Sequence, residues 1–246
     1  MDRMVYVAMT GAKQLMQAQA LVANNLANVS TTGFRADLAR FDAEQVQGPG
    51  YPSRINTVAA GVGFDRTQGT LVHTGSVLDV AIDGSGWLAV QAKDGTEAYS
   101  RGGSLKVNAL GQLITERGET VLGDNGPLAV PPYTNIALAP DGTISVVPQG
   151  QGPETLAQVG RLKLVDPPAQ QLEKRTDGLV RVKGGAPAAS DANVRVVSGA
   201  IETSNVNTAG TLVNMIEYAR QFDLAVRMMQ TADQNATKAS SLASLT

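Results

Sequence analysis

Apolar residues recur three and four positions apart at both ends of the chain. Near the N-terminus the series Val5, Ala8, Ala12, Leu15, Gln19, Val22, Leu26 and Val29 is apolar at every position except Gln19. A 3.5-residue repeat held over that length predicts the seam of a coiled coil. Near the C-terminus Leu212, Met215, Ala219, Phe222, Val226 and Met229 keep the same spacing, which weakens through Asp233, Ala236, Ser240 and Ala243. The two segments are expected to pair. Asp2 is a candidate N-cap for the first helix, which would run about 27 residues and some 40 Å. Its end is expected at Thr31 to Phe34, with Gly33 in the left-handed position and Phe34 folding back on Val29 in a Schellman cap. Asn207 or Thr208 should cap the last helix, which starts near Ala209 and reaches as far as Leu242.

Between the helices the period changes. Residues 35–70 carry a weak pattern, with Gly48-Pro49-Gly50-Tyr51-Pro52 marking a turn, and read as a connecting segment. From about Leu71 to Val197 the period is two. Leu78, Val80 and Ile82 alternate with Asp79, Ala81 and Asp83, and Gly84-Ser85-Gly86 then turns the chain into Trp87-Leu88-Ala89-Val90. Turn signals follow at Asp94-Gly95, Gly102-Gly103, Gly111, Gly118, Asp124-Asn125-Gly126, Asp141-Gly142 and Asp177-Gly178. Short strands closed by turns predict an all-β barrel or sandwich. The fold class is therefore α+β: long N- and C-terminal helices pairing as a coiled coil, with an inserted all-β, barrel-like or sandwich-like domain. The expected division is residues 1–34 for the first helix, 35–70 for the connector, 71–200 for the β-domain and 201–246 for the last helix. Insertion requires both ends of the β-domain to return to one side of it.

Charge sharpens this picture. Between Met4 and Ser30 the only charged side chain is Lys13, and the other polar positions are mostly Gln, Asn, Thr and Ser. A helix facing water normally carries charge on its outer face. Uncharged amides suit a surface covered by neighbouring subunits, because they hydrogen-bond across a contact without the desolvation cost of a buried ion. The last helix has one charged stripe, Glu217, Arg220, Asp223 and Arg227, at i+3 and i+4 spacing. Over the whole chain, 20 Lys and Arg against 22 Asp and Glu leave a formal charge of −2 with no basic run, so nothing points to nucleic acid.

Residues equipped for chemistry are scarce. With no cysteine and one histidine, His73, the chain lacks thiolate chemistry and a Cys-based metal site. Gly84, Gly86 and Ala89 have the spacing of a dinucleotide-binding turn, but Trp87 to Val90 reads as strand where that motif needs a helix N-terminus. Asp79 and Asp83 would stand about 13 Å apart along a strand, too far for a glycosidase pair. No Ser or Cys motif accompanies His73 to make it a general base. The expectation is a protein with no catalytic residues, cofactor, metal or small-molecule substrate. The opening Met-Asp-Arg-Met-Val-Tyr-Val-Ala lacks an apolar signal region, and no run of about 18 apolar residues occurs, so neither a cleaved signal nor membrane insertion is expected.

Several segments together resemble the flagellar rod and hook proteins of bacteria. Ala23-Asn24-Asn25-Leu26-Ala27-Asn28-Val29-Ser30-Thr31-Thr32-Gly33-Phe34-Arg35 is similar to that family's N-terminal signature. Leu78 to Trp87 resembles its first core strand pair, and Tyr99-Ser100-Arg101-Gly102-Gly103-Ser104-Leu105 with Gly111-Gln112-Leu113 the next hairpin. Ser204-Asn205-Val206-Asn207 with Val213-Asn214-Met215-Ile216-Glu217 resembles the C-terminal signature. The Met-Asp-Arg opening and a length near 250 look most like a proximal-rod member, with a distal-rod member as the alternative. A hook protein would need a further outer β-domain.

The resemblance implies a rod subunit in the periplasmic part of the basal body, exported without a cleaved signal through the flagellar type III apparatus. Its partners would be other rod subunits and copies of itself. The expected subunit-interface residues are Val5, Ala12, Leu15, Val22, Asn24, Asn25, Leu26, Asn28, Leu212, Met215, Ile216, Phe222, Val226 and Met229, with Gly33 and Phe34 forming the turn and cap. Phe34-Arg35-Ala36-Asp37-Leu38 also resembles the family's export-gate signal. Isolated helices gain little in water, so both ends are expected to order on assembly. From a different class, the alternative is a secreted, β-rich glycan-binding protein with a coiled-coil stalk.

Overall fold

The computed structural model describes residues 3–45, 55–152 and 154–243. The expected cap Asp2 and the turn at residues 48–52 lie outside the described residues. The chain divides into two units. One holds the described residues of 1–29, 36–65 and 206–246, and the other holds those of 30–35 and 66–205.

The first unit is built on two helices. Helix α1 spans Arg3–Ala27 and α2 spans Thr208–Ala243, about 37 and 54 Å long at 1.5 Å per residue. They pack on each other. Asn207 caps α2 as anticipated: its Oδ1 accepts from Gly210 N–H at 3.0 Å and its carbonyl accepts from Thr211 N–H at 2.9 Å. Helix α1 stops earlier than expected. Asn28 N–H is shared between the carbonyls of Asn24 and Asn25, both at 3.2 Å, and Val29 N–H reaches Leu26 O at 3.3 Å, so the helix tightens into turns beyond Ala27.

Residues 35–70 differ from a plain connector. They carry an antiparallel pair, β1 at Asp37–Gln45 and β2 at Ile55–Phe64, and both strands pack on α1. The register shifts between Ala39 and Phe41. That irregularity breaks the period-two alternation, which is why the segment reads as patternless.

The second unit is the β-rich one. Its nine-stranded sheet is antiparallel, and the edge strands of its main path are Leu172–Lys174 and Leu105–Val107. Between them lie Val180–Val182, Glu97–Ser100, Trp87–Gln91, Thr120–Gly123 and Leu113–Thr115, in that order. The two edges are not joined, so the unit consists of open sheets, in place of the closed barrel named among the expectations. A three-stranded sheet, Tyr133–Leu138, Thr143–Pro148 and Ala157–Arg161, shares its core with the first through Ile144 and Val146 against residues such as Val90, Leu113 and Val121.

The expected return of the two ends is present in this unit. Leu71–His73, the first strand, pairs with Ala200–Glu202, the last, and Val80–Asp83 pairs with Arg195–Ser198. Three of the anticipated Asp-Gly turns form with one chemistry. Asp94, Asp141 and Asp177 each accept, through a carboxylate oxygen, the N–H two residues on, at 3.0 Å in each case. The Thr96 hydroxyl, also bonded to Asp94, holds that carboxyl below the usual range, and the Thr143 N–H does the same for Asp141.

Candidate subunit interface

Every residue of the α1 series, Val5, Ala8, Ala12, Leu15, Gln19, Val22, Leu26 and Val29, is buried or half-buried within the single chain. The covered stripe is wider than a two-position seam, because Val7, Gly11, Gln14, Ala18, Leu21 and Asn25 are also covered. Two neighbours explain the width: α2 and the β1–β2 pair both pack on α1. On α2 the half-buried positions include Met215, Ala219, Phe222, Val226 and Met229 of the expected series. Thr211, Tyr218, Ala225 and Ala232 are covered as well, whereas Leu212 and Asp233 at the two ends are exposed.

The opposite faces of the helices are unusual. On α1, Tyr6, Met9, Lys13, Met16, Ala20 and Ala23 are all exposed and stand three or four apart, a second heptad series in a different phase. Met16 is 58% exposed and Tyr6 56%. On α2, Val213, Ile216, Leu224 and Met228 are exposed, with Arg220 between them, and Ile216 reaches 56%. Large apolar side chains set in rows at helical spacing differ from the scattered exposure of an ordinary monomer. Sequence reasoning missed Tyr6, Met9, Met16, Val213, Leu224 and Met228. Their signal was a second apolar phase beside the first.

The asparagines divide. Asn25 is buried and uses its amide inside the chain, donating from Nδ2 to Asp37 O at 2.9 Å and accepting from Asp37 N–H on Oδ1 at 2.8 Å. That two-way pairing imitates a strand ladder and fastens the start of β1 to α1. Asn28 donates from Nδ2 to Asn24 O at 2.9 Å, covering a carbonyl at the helix end, and Asn24 is exposed. The four charged residues of α2, Glu217, Arg220, Asp223 and Arg227, are all exposed. Glu217 accepts from Gln221 at 3.1 Å, and no ion pair joins the four among the described residues.

Gly33 and Phe34 belong to the β-rich unit, where the expected Schellman cap is replaced by a different device. Gly33 is left-handed, φ +66°, but its N–H donates to Glu202 O at 2.8 Å instead of to a helix carbonyl. A Cβ at Gly33 would meet the Arg101 carbonyl carbon at 2.1 Å, so only glycine permits this approach. Phe34 is buried, with the Lys174 ammonium 3.8 Å from its ring centroid, and Lys174 also donates to Arg35 O at 2.7 Å. Glu202, fully buried, pairs with Arg35 and with Arg101, the latter at 2.8 Å. Neither arginine nor Glu202 was anticipated as a partner of the others, since residues so distant in sequence leave no local pattern.

The remaining chemical candidates occupy structural positions. Gly84 and Gly86 form the turn before the strand Trp87–Gln91, with φ of +78° and +114°, and their carbonyls accept from Arg101. His73 is exposed on a strand, Asp83 is exposed, and Asp79 is half-buried. Among the described residues no helix is long and apolar enough to cross a membrane.

Comparison with known proteins covers both helices and the β-rich unit. Residues 5–35 match the family described as flagella basal body rod protein, residues 81–146 the flagellar hook protein FlgE/F/G D1 domain, and residues 197–242 the flagellar basal body rod FlgEFG protein C-terminal. The flagellar basal-body rod proteins FlgF of Escherichia coli strain K12 and of Salmonella typhimurium strain LT2 are each 41% identical to this chain, over the full length of both chains compared. A flagellar basal-body rod protein FlgG, from Buchnera aphidicola subsp. Acyrthosiphon pisum, is 34% identical over 97% of this chain and 98% of its own. With helices, β-rich unit and both terminal signatures all matched, the chain belongs to the flagellar basal-body rod proteins, in the FlgF family.

Proposed function

We propose that this chain is a structural subunit of the bacterial flagellar rod at its proximal position. It assembles through its terminal helices, with copies of itself and with other rod subunits, into the shaft that passes torque to the hook. The observation that carries this reading is the paired apolar rows left exposed on α1 and α2: Tyr6, Met9 and Met16 on one, and Val213, Ile216, Leu224 and Met228 on the other. Covering them against neighbouring helices recovers part of the about 1.5 to 3 kcal/mol that full burial of such a side chain is worth, and adds to the packing that α1 and α2 already make on each other. In the assembled shaft these rows wind against neighbours as coiled-coil seams, and contacts repeated with a helical offset extend a tube.

The proximal position is supported by 41% identity to FlgF proteins against 34% to the FlgG protein. The subunit reaches the periplasm through the flagellar type III export apparatus, as a chain not yet folded. In the folded β-rich unit Phe34, the first residue of the export-like pattern, is buried beneath Lys174, so a receptor for that pattern reads it before the unit closes. The role involves no catalysis, cofactor or small-molecule substrate. The test is deletion of the gene with plasmid complementation, followed by electron microscopy of purified basal bodies. Rings lacking a completed rod, hook and filament are expected, and intact rods and hooks would remove the proposal.

A further inference from the structure

Glu202 lies where the chain repeatedly enters and leaves the β-rich unit. The unit takes in residues 30–35, releases the chain, takes it back at Arg66 and releases it after Asn205. Each of these passages is bonded to the others at one place. On the first passage, Gly33 N–H donates to Glu202 O and the Arg35 guanidinium pairs with the Glu202 carboxylate. On the returning passage, Gly69 N–H donates to Glu202 Oε1 at 2.8 Å, and Thr67 O accepts from Asn205 Nδ2 at 3.0 Å. The outgoing passage carries Glu202 itself, and Asn205 N–H donates to Phe34 O at 3.3 Å.

The unit's own body holds this junction through Arg101. Its NH1 donates to Glu202 Oε2 at 2.8 Å, its Nε donates to Gly86 O at 2.9 Å, and its NH2 donates to Gly84 O. Trp87 stacks over it with the guanidinium carbon 5.8 Å from the ring centroid. Glu202 is 0% exposed, Arg35 2% and Arg101 5%, so the ion pairs are shielded from water and salt. The backbones at the junction touch. A Cβ at Gly69 would stand 2.0 Å from Thr203 O, and one at Gly33 2.3 Å from Arg101 O.

A buried ion triad is a poor way to gain equilibrium stability, because its desolvation cost largely cancels its attraction, yet breaking it by removing one partner is severe. That combination suits a bond set that must fail late under load. We infer that the Arg35–Glu202–Arg101 triad is a mechanical clamp: tension entering the β-rich unit along one passage is handed directly to the others at Glu202, bypassing the nine-stranded and three-stranded sheets. That the unit is loaded through these passages in the cell rests on the rod reading. The bond geometry does not, and it can be tested on the isolated chain.

The chain has no cysteine, so cysteines placed at the exposed residues Ser30 and Ala209 of the full chain attach handles uniquely. Pulling between them in optical tweezers loads the outer two passages. Glu202→Gln should unfold the β-rich unit at least about tenfold faster at fixed force. Lys163→Gln, which removes the Lys163–Glu97 pair elsewhere in the unit, should unfold as the parent does under force. Equal unfolding rates for Glu202→Gln and the parent would overturn the clamp, as would equal acceleration by both variants. If Trp87 emission shows that Glu202→Gln does not fold, Arg35→Met takes its place, since it leaves the Arg101–Glu202 pair intact. An unchanged rate in that variant would also overturn the clamp. A chain that shows the clamp but whose deletion leaves rods intact would separate the two claims.

Discussion

Tyr99 shows how a single buried residue sets a pH limit on the β-rich unit. Its hydroxyl donates to Glu97 Oε1 at 3.0 Å and accepts from Ala188 N–H at 2.7 Å, and burial pushes its pKa up to about 12. A folded-state pKa above the unfolded value near 10 means that the stabilisation is complete below about pH 10 and is lost as pH rises from there through 12. Absorbance titration should find one of the five tyrosines ionising last, together with unfolding. Tyr99→Phe should cost about 1 kcal/mol at pH 7 and remove that late-titrating signal. A late-titrating signal that persists in the variant would assign it to another tyrosine. Residues of this kind were half legible in the sequence. The Asp-Gly turns at Asp94, Asp141 and Asp177 announced themselves because their chemistry is local. Tyr99, Arg101 and Glu202 did not, because their partners lie far along the chain and only the fold brings them together.

At the scale of elements, periodicity carried the two helices and the N-cap of α2 well. The residue series that predicted a seam is covered in the single chain from Val5 to Val29 and from Met215 to Met229, and Asn207 caps α2. Three readings went astray for physical reasons. A left-handed glycine after a helix suggests a Schellman cap, but the N–H of Gly33 is taken by Glu202 O. A register shift in the β1–β2 pair hides its alternation. Strand alternation specifies faces but not closure, so an open nine-stranded sheet reads like a barrel. The covered and uncovered faces of α2 lead to different outcomes on mutation. Phe222 is half-buried in the first unit, and Phe222→Asp places an unpaired charge there. It should lower the stability of the helical unit by about 2 kcal/mol, seen as an earlier loss of helical circular dichroism on heating. Melting unchanged from the parent would mean that Phe222 does not hold the pair together in the free subunit.

At the scale of the molecule, two kinds of surface are built from one sequence. The β-rich unit closes its own core, with Val90, Leu113, Val121 and Val146 fully buried. The helical unit instead leaves rows of Met, Val, Leu and Ile exposed on the faces of α1 and α2 turned away from their packed stripes. The central claim is that these outer rows are the contacts between rod subunits. It is tested most directly by expressing Ile216→Glu in the gene-deletion strain and imaging purified basal bodies, with the purified variant checked for parental circular dichroism. Ile216 is exposed in the single chain, so the variant should fold as the parent does, while the new charge blocks packing against a neighbour and leaves rings without a completed rod. Complete rods, hooks and normal swimming in a strain carrying only Ile216→Glu would contradict the claim.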